Sequence, residues 1–165
     1  MNADRVAFIQ AHKKDVIEST LGTGIFPSVK MAQMIIESSN SAGQAGQGVT
    51  ALPPTNNYFG IKADASWKGQ KTAFNTPKDG QPVNYFRVYP TVRDSISDHT
   101  SFLKKNPRYT AAGVFSAKTV PDQLLALDKS HYSENPQYGA SLAQMIQTYN
   151  LQSLDKEQDL LKKKG

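Results

Sequence analysis

The chain has 165 residues with no internal repeat and no linker-like stretch, which bounds it to one domain large enough for a real core. Its 19 Lys and Arg outnumber 14 Asp and Glu, an excess that suits anionic partners such as cell-wall polymers, nucleic acid or a membrane surface but is small enough to serve solubility alone. The lack of cysteine excludes disulfides and thiolate metal sites, and no apolar run reaches the length of a membrane span.

The first predicted element is a helix from about Asp4 to Thr20, with Phe8, Ile9, Val16 and Ile17 on one face. Leu21-Gly22-Thr23-Gly24 ends it, because glycine past the last turn accepts the left-handed conformation that closes helices. A second helix, from about Pro27 to Ser39, is apolar on most sides apart from Lys30 and Gln33, the mark of a central, buried helix. Glu37 closes its apolar run. Burial and the negative end of the helix dipole both disfavour a carboxylate there, so both raise its pKa, and a carboxylic acid kept protonated near neutral pH is what a general acid needs to be. A solvated helix-end residue with no task fits the same pattern. Gly43 to Thr55, which carries the Pro53-Pro54 pair, is expected to be a long loop.

After Gly60 the helical periodicity gives way to β-type residues. Lys71 to Asn75 and Val83 to Val88 flank Thr76-Pro77-Lys78-Asp79-Gly80, where Asp-Gly signals a turn, so a β-hairpin is predicted. Thr91-Val92-Arg93-Asp94 has capping-box spacing and opens a helix whose apolar face is Val92, Ile96, Phe102 and Leu103. Pro107 to Ala112 makes a short helix or turn, and Thr119-Val120-Pro121-Asp122 opens a further helix carrying Leu124, Leu125 and Leu127. Asn135 as cap, with Pro136 at the first helical position, starts the last long helix, on which Tyr138, Leu142, Met145 and Tyr149 recur at helical spacing. Residues 155–165 are charge-rich and expected to fray, leaving 1–154 as the folded domain. Helices, one hairpin, then helices make an α+β class that is predominantly helical.

Segments in fixed order carry a resemblance. Phe26-Pro27-Ser28 leads into Ala32-Gln33-Met34-Ile35-Ile36-Glu37-Ser38-Ser39; Asn57-Tyr58-Phe59-Gly60-Ile61-Lys62 follows, and then His131-Tyr132-Ser133-Glu134-Asn135-Pro136-Gln137-Tyr138. Together they resemble the signature of family 73 glycoside hydrolases, peptidoglycan-cleaving N-acetylglucosaminidases that include the flagellar-rod hydrolase domain, autolysins and phage lysins. The resemblance runs from about Phe8 to Leu151. It implies a lysozyme-like fold, with a helical lobe and a small β-hairpin lobe bordering a glycan cleft. It also implies hydrolysis of the β-1,4 bond after N-acetylglucosamine in peptidoglycan strands, with Glu37 as general acid and Tyr132 as the family's functional tyrosine. A phenol at Tyr132 would hydrogen-bond the sugar or the developing charge; a core tyrosine with a satisfied hydroxyl is the alternative. Asn57, Tyr58 and Phe59 are expected to line the cleft, with Phe59 buried and Gly60 letting backbone approach substrate. Trp67 is either a sugar-stacking platform or an anchor of the β lobe. Tyr138 reads first as a core residue of the last helix and second as a substrate contact.

The chain departs from the family pattern in two places. Many members carry a second Glu in the hairpin, whereas Asp79 is the only acid here between Gly69 and Arg87, and Asp64 precedes the hairpin. Asp79 is therefore the candidate second carboxylate, although Asp before Gly forms turns by its own backbone chemistry. Without a second carboxylate the substrate's 2-acetamido group could assist departure. After Glu37, Ser38-Ser39-Asn40 stands where members commonly have Gly-Trp-Gly after a Ser, which alters the adjacent subsite. These departures keep two rivals open: a lytic transglycosylase on the same fold, and a non-catalytic glycan-binding or structural domain of a phage tail or secretion apparatus. His12 is expected at the surface, and His99 and His131 stand alone, so neither metal nor cofactor is expected. Scattered lysines without interleaved aromatics argue against nucleic acid. Met1-Asn2-Ala3-Asp4-Arg5 lacks the apolar core of a signal peptide, so action at the cell wall would require a trimmed signal, a phage particle or holin pore, or a secretion machine.

Overall fold

The computed structural model describes residues 1–75 and 78–165. Its elements are α1 (Ala3–Thr20), α2 (Pro27–Ser38), β1 (Lys71–Ala73), β2 (Tyr85–Arg87), α3 (Val92–Lys105), α4 (Pro107–Ala112), α5 (Val120–Lys129), α6 (Tyr138–Thr148) and α7 (Gln152–Lys164). Helices dominate, and the two strands form one small antiparallel sheet.

The core is built around α2, which packs against α1, α5, α6 and α7. Met31, Ala32, Met34 and Ile35 are fully buried there, and each large apolar side chain so removed from water contributes about 1.5–3 kcal/mol. Such a helix must have its end groups satisfied by neighbours. The cap position Phe26 offers no side-chain acceptor, and Asp155 of α7 supplies one, its Oδ1 accepting from the Ser28 N–H at 2.8 Å.

That contact corrects the expectation of a frayed tail: residues 152–164 are helical. Leu151, Leu154 and Gln158 are buried on one side of the segment, and the Gln158 amide donates to the Ile17 carbonyl and the Thr20 hydroxyl, both at 2.9 Å. The charges that dominate the tail's composition lie on the other faces. The start of α6 also differs from expectation, at Tyr138 instead of Pro136. Asn135 closes a local turn, its side chain accepting from the Gln137 N–H and its carbonyl from that of Tyr138. Asp128 of α5 then accepts from the Gly139 N–H at 2.9 Å. Thr91 caps α3 as expected, its hydroxyl oxygen accepting from the Asp94 N–H at 3.1 Å, but the capping box is only half formed, because the Asp94 carboxylate takes the Thr91 hydroxyl instead of its backbone N–H.

The end of α5 decides where the chain goes next. His131 adopts a left-handed φ of 53°, its N–H bonds to the Asp128 carbonyl, and the Tyr132 N–H bonds back to Leu127. This pair of bonds is a Schellman closure, and it turns Tyr132 back toward the helix bundle, where its ring packs against the core.

In the β lobe, Thr72 pairs with Phe86 at the centre of the hairpin, and Lys62 bridges Phe86 from the other side. The strands are shorter than the sequence suggested, because pairing is confined to 71–73 and 85–87. Lys78 bridges Gln81 around Asp79-Gly80, with Gly80 at φ 75° as the turn requires; Thr76 and Pro77 of the expected turn lie outside the described residues. Arg87 ties the lobe to α3: it pairs with Asp98 at 2.9 Å and lies over the Trp67 ring at 4.6 Å. No helix among the described residues is long and apolar enough to cross a membrane.

Candidate active site

Glu37 occupies the last turn of α2 and is half-buried. The loop after it folds back on the helix end: Ser38 accepts from the Gly46 N–H through its hydroxyl and from the Gly48 N–H through its carbonyl, and the Ser39 hydroxyl donates to Ile35. A side chain at Gly48 would meet the Ser38 carbonyl oxygen at 2.9 Å, so only glycine permits this closure. Burial raises the pKa of Glu37, and a hydrogen bond from the Tyr138 hydroxyl to its Oε1, at 3.0 Å, opposes that rise in part.

Tyr138 itself is 4% exposed, so it is a core residue and the support of Glu37; the substrate contact considered for it is closed off by packing. Gln33 donates to the same hydroxyl at 3.4 Å. Burial and the neighbouring carboxylate both hold the Tyr138 phenol protonated, so it stays a donor. Its ring stacks on that of Tyr132 at 5.3 Å and 18°.

Tyr132 is half-buried beside this pair. Its hydroxyl lies 2.9 Å from Nε2 of His99, and burial, with Tyr138 and Glu37 nearby, pushes its pKa well up. His99 is fully buried, with Phe59 stacked on one face at 3.9 Å. Burial and the adjacent Lys30 lower its pKa far below the usual imidazole value, which keeps the ring neutral. Glu37, Tyr138, Tyr132 and His99 thus form one contiguous cluster.

The other expected site residues fall elsewhere. Asn57 is fully buried: its amide donates to the carbonyls of Ile61 and Arg87, and its oxygen accepts from the Ile61 N–H. Its side chain is engaged in holding a tight turn against β2, so the cleft contact expected of it is corrected to a structural role. Tyr58 packs against Phe8 and His12 on α1, which also makes His12 half-buried instead of a surface residue. Phe59 is buried behind His99, away from any direct sugar contact, and supports Tyr132 through that ring. Gly60 has φ 62° with open space where a side chain would stand.

Trp67 donates its indole N–H to the Gln70 carbonyl and packs on Arg87 and Tyr89. One side of it lines a groove of about 1320 Å³ with Gln70, Thr72, Tyr89, Asp94 and Asp98, a groove that shares no lining residue with the Glu37 cluster. Asp79 is exposed in its turn. Asp64 is held by Ser66 and lies near Arg87. Among the described residues no hydrogen bond or ion pair brings a second carboxylate to Glu37, so the cluster holds one carboxyl whose pKa burial raises, with two phenols beside it.

Lys30, Gln33 and His99 were not expected in the cluster. A signal for two of them was present: Lys30, Gln33 and Glu37 fall at i, i+3 and i+7, one polar stripe on an otherwise apolar helix. Each member of that stripe has its partner in the cluster.

A family model described as Glucosaminidase, mannosyl-glycoprotein endo-beta-N-acetylglucosaminidase, matches residues 13–151. "Peptidoglycan hydrolase FlgJ" of Salmonella typhimurium is 38% identical over 99 residues, covering 57% of this chain and 31% of that protein. "Probable N-acetylmuramidase" of Lactococcus lactis subsp. cremoris is 33% identical over 159 residues, covering 90% of this chain and 35% of that protein. The chain thus spans about a third of the length of these curated relatives. Among solved structures, the glycoside hydrolase domain of Salmonella typhimurium FlgJ superposes with a TM-score of 0.68 at 26% identity, covering 99% of this chain and 98% of that one. The catalytic domain of the autolysin Auto from Listeria monocytogenes superposes with a TM-score of 0.76 at 23% identity over 94% and 89% of the two chains, a likeness of fold.

Proposed function

The chain belongs to the glucosaminidase family of glycoside hydrolases, and on that premise we propose that it cleaves the β-1,4 bond after N-acetylglucosamine in peptidoglycan, with Glu37 as the general acid. The observation that carries this reading is the state of Glu37: a half-buried carboxyl at a helix end, its pKa raised by burial and its orientation fixed by the Tyr138 hydroxyl at 3.0 Å. Glu37 gives its proton to the glycosidic oxygen as the bond from that oxygen to the anomeric carbon breaks, and charge develops on the sugar ring. The Tyr132 hydroxyl, next to Tyr138, donates a hydrogen bond to an oxygen of the sugar and holds it in place for that step. The carbonyl oxygen of the substrate's own 2-acetamido group bonds to the anomeric carbon as the glycosidic bond breaks; water then adds to that carbon, the bond to the acetamido oxygen breaks, and the water's proton returns to Glu37, a route that needs no second carboxylate from the protein. Action at the cell wall follows from the substrate, and the peptidoglycan hydrolase among the relatives supports it.

A second reading concerns the bond: the Lactococcus lactis relative is named for N-acetylmuramidase activity. Digestion of purified sacculi, with mass spectrometry of the fragments, distinguishes the possibilities. Reducing N-acetylglucosamine ends are expected. Reducing muramic ends would make the enzyme a muramidase, anhydromuramic ends a transglycosylase, and intact sacculi a binding domain. Glu37→Gln keeps the side chain's shape but cannot give the proton, and should lower fragment release by about a hundredfold or more; near wild-type release would remove Glu37 from the mechanism.

A further inference from the structure

Lys30 lies in the first turn of α2, fully buried. Its Nζ is 2.6 Å from Nδ1 of His99 and donates to the Thr100 hydroxyl at 2.9 Å. The Phe59 ring lies 5.3 Å away. Among the described residues its side-chain hydrogen bonds run to His99 and Thr100 alone, with no carboxylate to offset the loss of water. Burying an amine in this way is costly, and a Met or Leu would fill the same volume of core without that cost. The compensating gain is therefore to be sought in what the amine holds.

We propose that Lys30 and His99 are positioning residues for Tyr132: by donating to Nδ1, Lys30 holds His99 as the Nε2–H tautomer, whose proton goes to the Tyr132 hydroxyl oxygen and leaves the phenol's own proton for the substrate. The opposite tautomer would set an N–H against Nζ and turn the Tyr132 proton inward onto Nε2. The second nitrogen of a histidine fixes the role of the first in this way wherever a ring sits between two partners. Phe59, stacked at 3.9 Å and 6° from coplanar, prevents the ring from rotating out of this register. Burial lowers the pKa of both groups: it keeps the imidazole neutral, as the relay requires, whereas on Lys30 it works against the ammonium, and a neutral amine accepting from Nδ1–H is the arrangement that overturns the relay. This inference rests on the role given to Tyr132 above, but its central observable does not.

That observable is the tautomer of His99 in the wild-type protein, read from the nitrogen shifts and proton couplings of the ring by NMR. The Nε2–H form is expected, and the Nδ1–H form overturns the proposal whatever the activities show. Lys30→Met, which keeps chain length and removes the donor, should fold and release the tautomer preference. Its kcat on sacculi should fall by about tenfold or more, with KM little changed. Combined with Tyr132→Phe it should lower kcat no further than Tyr132→Phe alone. A folded Lys30→Met with wild-type kcat, or losses that multiply in the double variant, would overturn the relay. If Lys30→Met does not fold, His99→Gln and His99→Phe make the comparison: Gln keeps an N–H donor near the ring Nε2 position and should retain more turnover, whereas equal turnover overturns the proposal. Normal turnover of Tyr132→Phe itself would remove the role assigned to Tyr132, and the tautomer would still decide the relay.

Discussion

Two forces of opposite sign act on Glu37: burial raises its pKa, and the Tyr138 hydroxyl lowers it. Tyr138→Phe removes the second force and keeps the stacked ring, so the pKa of Glu37 should rise further. Because the general acid works protonated, the alkaline limb of the kcat/KM profile should move to higher pH in Tyr138→Phe; a limb that stays in place or moves down would show that another group sets it. The same shift has a consequence for stability. A carboxyl whose folded pKa exceeds its unfolded value contributes stability that is fully present below the unfolded pKa and is lost as pH rises through the folded pKa. Glu37→Gln should therefore melt at or above the wild-type temperature at neutral pH, with that advantage disappearing in acid; a destabilised variant at neutral pH would contradict the burial argument. The raised pKa of Glu37 was legible in the sequence because its position at the end of an apolar helix states the conflict between charge and burial directly. Tyr138 was only half legible, since helical spacing shows that it faces the core but not which polar group it meets there. Asn57 was misread, because an Asn among loop aromatics looks free to meet a sugar until the carbonyls of Ile61 and Arg87 are seen to take its amide.

At the level of elements, local rules succeeded where one segment decides the outcome, as at the Thr91 cap of α3, and failed where a distant segment does. The tail from Asp155 looks like a solvated charge run, and its helix is legible only once Leu151, Leu154 and Gln158 are seen to share a buried face. Pro136 favours an immediate helix start, but the Asn135 turn and the cap from Asp128 delay it to Tyr138. The α7 contact can be tested through the bond from Ser28 to Asp155, which caps α2 across a sequence distance that no local pattern reveals. Asp155→Ala removes the acceptor, and loss of a helix-cap acceptor costs about 0.5–2 kcal/mol. Thermal unfolding should show that loss. An unchanged melting temperature would mean that α2 does not depend on the tail for its N-terminus.

For the whole molecule, the proposed cleavage sets a helical lobe that carries Glu37 beside a small β lobe. The β lobe is fastened to α3 by Arg87 and Tyr89, both bound to Asp98, and by the packing of Trp67 on Arg87. Those contacts engage Trp67, Arg87 and Tyr89, and any second negative charge from the lobe would have to come from its acids. Asp64 accepts from Ser66 and faces Arg87, which lowers its pKa and marks it as a turn former beside a cation. Asp79 is exposed in the hairpin turn, where Gly80 supplies the left-handed residue. Asn tolerates the same turn but carries no charge. Asp79→Asn should therefore cost less than about tenfold in turnover on purified sacculi, against about a hundredfold or more for removal of a general acid. The comparison is made at one pH on one sacculus preparation, with melting temperatures to confirm that both variants fold. A loss in Asp79→Asn comparable to that in Glu37→Gln would bring the hairpin over the cleft as the source of the second carboxylate, and would replace assistance by the 2-acetamido group with a two-carboxylate mechanism.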